Sequence, residues 1–260
     1  MNDIFDIARF GYLLRKHFNE NAKTYIISLI VFIAILGVVF AFMTYSGGRK
    51  TVDINEQAVT YFVSLYLGGF IFAGSTFKEY HLPRSGISML MLPASTLEKY
   101  CLHWLVTCVG FALCHFAVFH ATQFLVFKSV SYYLGIENTY FNIFTNPGSV
   151  PVNWLFLLYV LIHSAAFLGS ISIPKRSVIF SALIVFASVG AYIYTNHRIT
   201  LAIFGSNSTP FPLFPLNTMS EQGWASVSFD NVEMLGQSAL LVLALLLWAT
   251  AFFKLKEKEV

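Results

Sequence analysis

Six stretches of this chain contain no Lys, Arg, Asp or Glu. Each is long enough to cross about 30 Å of hydrocarbon at about 1.5 Å per helical residue. They run Tyr25–Tyr45, Val59–Phe77, Tyr100–Phe127, Val152–Ile173, Val178–Asn196 and Met234–Phe253. Barrel strands alternate in polarity and are about half as long, so helices are the expected spanning element. The sequence therefore predicts an all-α, polytopic membrane protein with six transmembrane helices. The composition agrees. The chain is 57% hydrophobic and 11% charged, whereas a soluble domain carries about 25% charged residues. The third run is the longest and is expected to tilt or to project beyond the bilayer.

The formal net charge of +3 comes from scattered basic residues. Such scatter argues for no nucleic-acid partner. The first apolar run follows a polar lead and is longer than a signal-peptide core, so it is expected to be a retained helix.

Orientation follows from the basic residues in the connections, which favour the cytoplasmic side. With the N-terminus inside, the inner set is Arg9, Arg15, Lys16, Lys23, Lys78, Arg84, Lys99, Lys175, Arg176, Lys254, Lys256 and Lys258. The outer set is only Arg49, Lys50, Lys128 and Arg198. Both termini are therefore expected in the cytoplasm and the protein in the cell (inner) membrane. Three units follow: a cytoplasmic segment 1–24, a six-helix domain 25–253 and a tail 254–260. The outer connection His197–Glu233, with Pro210, Pro212 and Pro215, is expected to lie at headgroup level. Asn207-Ser208-Thr209 matches a glycosylation acceptor by pattern alone.

Two cytoplasmic pieces stand out. Residues 2–23 have helical periodicity, with Ile4, Ile7, Gly11, Leu14 and Phe18 on one face. Asp6, Arg9, Lys16 and Glu20 cluster opposite. An amphipathic helix just before a span reads as an interfacial one. Between spans two and three lies KEYHLPRSGISMLMLPASTLEK. Ser85 is a candidate N-cap, and Ile87 to Leu92 makes a short helix that Pro93 ends. Ser95 and Glu98 then fit a capping box that starts the long third helix. The short element, with Met89, Leu90, Met91 and Leu92, is too brief to span and too apolar for water. It either dips into the lipid interface or docks in a groove on a cytoplasmic partner, a role that adaptable methionine suits.

On these features the chain resembles the membrane (permease) subunit of type-2 ATP-binding-cassette (ABC) transporters of the small bacterial six-span kind. The wording SGISMLMLPASTLEKY before a long third span carries the likeness, as does the tail FKLKEKEV. The resemblance implies a translocation path coupled to a separate cytoplasmic ABC ATPase subunit, with a second permease copy or paralogue beside it in the bilayer. It puts the short cytoplasmic coupling helix, and the ATPase contact, on Arg84, Ser85, Ile87, Met89, Leu90, Met91 and Leu92. The interfacial (connecting) helix falls on Ile4, Ile7, Leu14 and Phe18. It also implies export, no cofactor bound by this chain, and ATP and Mg held in the partner subunit.

Other chemistry finds little footing. Gly47-Gly48-Arg49-Lys50-Thr51 lacks the spacing of a phosphate loop, so no enzyme activity is expected of this chain. Cys101, Cys108 and His115 repeat every seven residues and are candidate pore-lining or packing residues, with His163 as a partner for His115. Asp and Glu are absent from the spans, which argues against an intramembrane acid, base or proton relay. Gly68, Gly69, Gly74 and Gly110 suit close helix packing. The alternative readings are a membrane-embedded lipid-processing enzyme, which needs polar residues clustered at one depth, or a non-transporting membrane scaffold.

Overall fold

Helix starts and stops in this chain are written by a few local devices. Asp53 caps the second helix by accepting the amide of Asn55. Ser95 caps the third, and Gly135, with φ 65°, ends it in the left-handed conformation that glycine adopts without a Cβ clash. Pro151 precedes the fourth helix. The structure, a computed structural model, describes residues 5–45, 51–81, 94–145, 147–148, 151–174, 176–204, 209–210, 217–220, 223–226 and 232–259.

Six helices result: α1 Ile7–Tyr45, α2 Ile54–Ser75, α3 Thr96–Leu134, α4 Val152–Ser172, α5 Ser177–Phe204 and α6 Val232–Glu259. All six are long and apolar enough to cross a membrane, so the chain has the character of a multi-pass membrane protein. A 3-10 turn, Lys78–His81, follows α2. The connection after α5 carries a short antiparallel meander, β1 Thr209–Pro210, β2 Asn217–Ser220 and β3 Gly223–Ser226, in the order β1-β2-β3. That meander is the one sheet among the described residues and leaves the helical class unchanged. The expected coupling residues Arg84, Ser85, Ile87, Met89, Leu90, Met91 and Leu92 lie outside the described residues, as do Ile4 and Asn207.

Residue 24, where the composition turns apolar, lies inside α1, one helix of 39 residues, or about 58 Å at about 1.5 Å per residue. No proline or glycine stands near the expected junction. The Asn21 side chain donates to the carbonyl of His17, so it reinforces the ladder rather than competing with it. The helix is far longer than the hydrocarbon is thick. Its start faces Glu98, at the beginning of α3, and the end of α6 faces His81. Both chain ends therefore share one end of the bundle, here called the termini-bearing end.

α4 is the central helix and packs against α2, α5 and α6, while α1 lies along α3. Aromatic rings fill the half of the core far from the termini, where Phe40, Tyr61, Phe119, Phe127 and Phe141 are fully buried. Edge-to-face contacts join Phe40 to Phe119 and Phe127. A second cluster of Phe77, Phe167, Ala251 and Leu255 holds the termini-bearing end. Gly68 and Gly69 let α2 close on two rings: a Cβ would meet Phe111 at 2.7 Å from Gly68 and Tyr159 at 2.7 Å from Gly69. On α1, Ile7 is 81% exposed and Phe18 46%. The apolar face expected to lie on lipid is thus uncovered by protein, and Leu14 is half-buried beside Leu13, Leu102 and Val106.

Candidate functional site

The first turn of α3 holds a carboxylate with no contact to solvent. Glu98 is 0% exposed. The capping box forms as its spacing predicts: Ser95 Oγ accepts the amide of Glu98 at 3.2 Å, and Glu98 Oε2 accepts the amide of Ser95 at 2.9 Å. The other oxygen turns to α1. Glu98 Oε1 accepts Arg9 Nη2 at 2.7 Å, Arg9 Nε at 2.9 Å and the amide of Asp6 at 2.8 Å. Asp6 in turn accepts the amide of Ala8 at 2.8 Å and so starts α1. One side chain therefore caps two helices. A buried carboxylate is tolerated when charge-assisted bonds replace its water, and here four donors do so.

The clamp lies directly after residues 82–93 in the chain. A small cleft between α1 and α3 adjoins it, lined by Lys16, His17, Tyr80, Lys99 and His103 among others. At this end the site has the form of a rigid joint: a helix end fixed by charge, next to the segment that the sequence singles out.

Deeper in the bundle, α3 departs from α-helical form. Leu105–Gly110 is a π turn. Such turns leave carbonyls off the regular ladder and recur at functional positions. Tyr159 on α4 donates its hydroxyl to the carbonyl of Cys108 at 3.0 Å. Thr107 donates to the carbonyl of His103 at 2.7 Å, so its oxygen accepts from His163 Nε2 at 3.0 Å. Trp248 Nε1 donates to His163 Nδ1 at 3.2 Å. The partners dictate the tautomer: a neutral ring with the proton on Nε2. A directed chain thus runs from Trp248 on α6 through His163 on α4 to Thr107 and His103 on α3.

This is a cluster of polar groups at one depth, which the linear sequence does not display. Its donors and acceptors satisfy one another, and Ser164 Oγ beside it bonds the carbonyl of Leu161. These bonds fasten α3, α4 and α6 to one another.

His115 is not joined to His163, contrary to expectation. Its Nε2 lies 2.9 Å from Ser64 Oγ on α2, and Ser64 donates to the carbonyl of Tyr61. Helix geometry is the reason, since α2 meets this part of α3 while α4 reaches the π turn. Of the seven-residue series, Cys101 is half-buried, Cys108 buried and His115 buried. Among the described residues no three His, Cys, Asp or Glu side chains converge as a metal site would require.

At the far end, sequence reading missed a second lock. Gln57 donates to the carbonyls of Val52 and Thr139 at 3.1 and 2.9 Å. Its oxygen accepts the amide of Phe141 and the side-chain amide of Gln123. Its signal in the sequence is one glutamine at the start of the second apolar run and one near the end of the third, each of which calls for partners in a nonpolar surround.

Comparison of the chain with known protein families, with curated proteins and with solved structures returns no match. The functional reading rests on the residues themselves.

Proposed function

We propose that the chain is the membrane permease subunit of an ATP-driven exporter of the type-2 ABC kind. In this reading it forms the translocation path in the inner membrane with both termini in the cytoplasm. It works beside a second permease copy or paralogue, and a separate cytoplasmic ATPase subunit binds ATP and Mg and hydrolyses the nucleotide. The observation that carries the reading is the Glu98 clamp. A segment that receives force from a partner transmits it only if the helix behind it is anchored. Glu98 anchors α3 to α1 at the first residues after 82–93.

In this reading Arg84 to Leu92 is the contact with the ATPase, and Ile7, Leu14 and Phe18 rest on the inner leaflet. The exposed sides of α1 and α5 meet lipid or the second subunit. The test is copurification of tagged chain in mild detergent. The wild type is expected to retain a nucleotide-hydrolysing subunit, and Leu90→Asp to lose it along with transport. A wild type that retains no such subunit, or a Leu90→Asp variant with intact transport, sinks the proposal. Single cysteines, introduced after Cys101, Cys108 and Cys114 are replaced by alanine, give the orientation: Ser129→Cys is expected to react with an impermeant reagent outside intact cells, and Lys256→Cys only after lysis.

A further inference from the structure

His81, the last residue described before the 82–93 segment, joins three elements. Its Nε2 lies 3.0 Å from the carbonyl of Ser170 at the end of α4. A carbonyl only accepts, so Nε2 carries the proton and Nδ1 of the neutral ring is a bare acceptor. The ammonium of Lys258, near the end of α6, lies over the ring, 3.1 Å from Nδ1 and 3.4 Å from Nε2. The cation rests against the imidazole, closer to the nitrogen that has no hydrogen. The contact ties the last turn of α6 to the turn that leads into residues 82–93, across 177 positions of sequence.

We propose that His81 is a proton-operated latch for the C-terminal end of α6. With a neutral ring, Lys258 packs on the imidazole and the tail is held. A second proton, placed on Nδ1, turns that contact into two cations about 3 Å apart. The tail is then released, while the Nε2 bond to Ser170 persists because that nitrogen donates in either state. Among the described residues no carboxylate offsets the new charge in place. Ser170 contributes a carbonyl from α4. On α6, Glu257 is engaged by Lys254 at 2.7 Å, and Lys256 is a further cation. Lys78, Glu79 and Tyr80 lie on the ring's own turn. Leu255 is fully buried in the second core cluster, so release is confined to the last turn and the bundle stays closed.

The latch stands apart from the transport reading, because it concerns how this chain holds its own end. The test is hydrogen–deuterium exchange of the C-terminal peptide in the full chain in lipid nanodiscs, from about pH 8 to about pH 4, a range that reaches below ordinary imidazole titration because burial and the Lys258 ammonium lower the pKa of His81. Rates are normalised for the intrinsic pH dependence of exchange. The wild type is expected to lose protection at the last turn about tenfold on acidification. His81→Gln keeps a donor and an acceptor but does not titrate, and its profile is expected to be flat. Lys258→Gln is also expected to be flat, since an amide meets a ring in either protonation state. A wild-type profile without the step, or the same step in His81→Gln, overturns the latch. So does a step that persists in Lys258→Gln.

Discussion

Arg9 and Glu98 are 89 residues apart, and both Nε and Nη2 of the arginine meet a single carboxylate oxygen of the glutamate. The same oxygen holds the amide of Asp6, and its twin holds that of Ser95. Two helix starts thus depend on one charge. Arg9 keeps 31% of its side chain in contact with solvent while Glu98 has none, so losses on the two sides are unequal.

Removal of the arginine leaves a buried carboxylate with only backbone donors. Arg9→Ala is expected to cost about 1.5–3 kcal/mol, the range for bonds to a charged group. Arg9→Lys keeps the charge without the planar fork and is expected to recover part of that loss. Thermal unfolding in a fixed detergent measures both. Equal stability of all three proteins would show that the pair does not anchor α1.

Glu98→Ala removes the carboxylate half of the α3 capping box and the anchor of α1 together. It is expected to destabilise more than Arg9→Ala and to raise amide exchange at the first turns of both helices. A change confined to α3 would mean that the contact with α1 carries no weight.

The π turn is held from outside by Tyr159. Tyr159→Phe leaves the Cys108 carbonyl without its hydroxyl donor, at an expected cost of about 1–3 kcal/mol for an unsatisfied buried group. Gly69 lies against the same ring, and Phe retains that contact, so the variant isolates the hydroxyl. No loss in thermal unfolding would mean that the turn forms without it.

His115 and His163 have separate partners, Ser64 for the first and Thr107 with Trp248 for the second. The effects of His115→Ala and His163→Ala on stability are expected to add within about 0.5 kcal/mol. His163→Ala with Thr107→Val is expected to be non-additive, since each removes the other's partner. Reversed behaviour of the two pairs would refute the assignment.

Gln57 joins α2, α3 and the 138–143 stretch at the far end. Gln57→Leu is expected to leave three backbone groups without partners and to cost more than Gln123→Leu, which removes only side-chain contacts, those with Gln57 and His120. A ranking by thermal unfolding checks this, and equal losses would show that the backbone groups find other donors.

The class of this protein was legible because consecutive residues set it. An apolar run of sufficient length partitions into hydrocarbon by its own transfer free energy, whatever surrounds it. Ser95 and Glu98 are three positions apart, so the start of α3 was written locally too. Only the tertiary structure decided the second role of Glu98, the chain through Trp248, His163 and Thr107, the π turn that Tyr159 holds, and the contact of His81 with Lys258. Their partners are tens of residues to more than a hundred apart. In a chain that is apolar nearly all round, periodicity does not tell which side of a helix meets protein and which meets lipid. The continuity of α1 across residue 24 was hidden for a related reason. A change from polar to apolar composition marks where the solvent changes, but nothing in it obliges a helix to end.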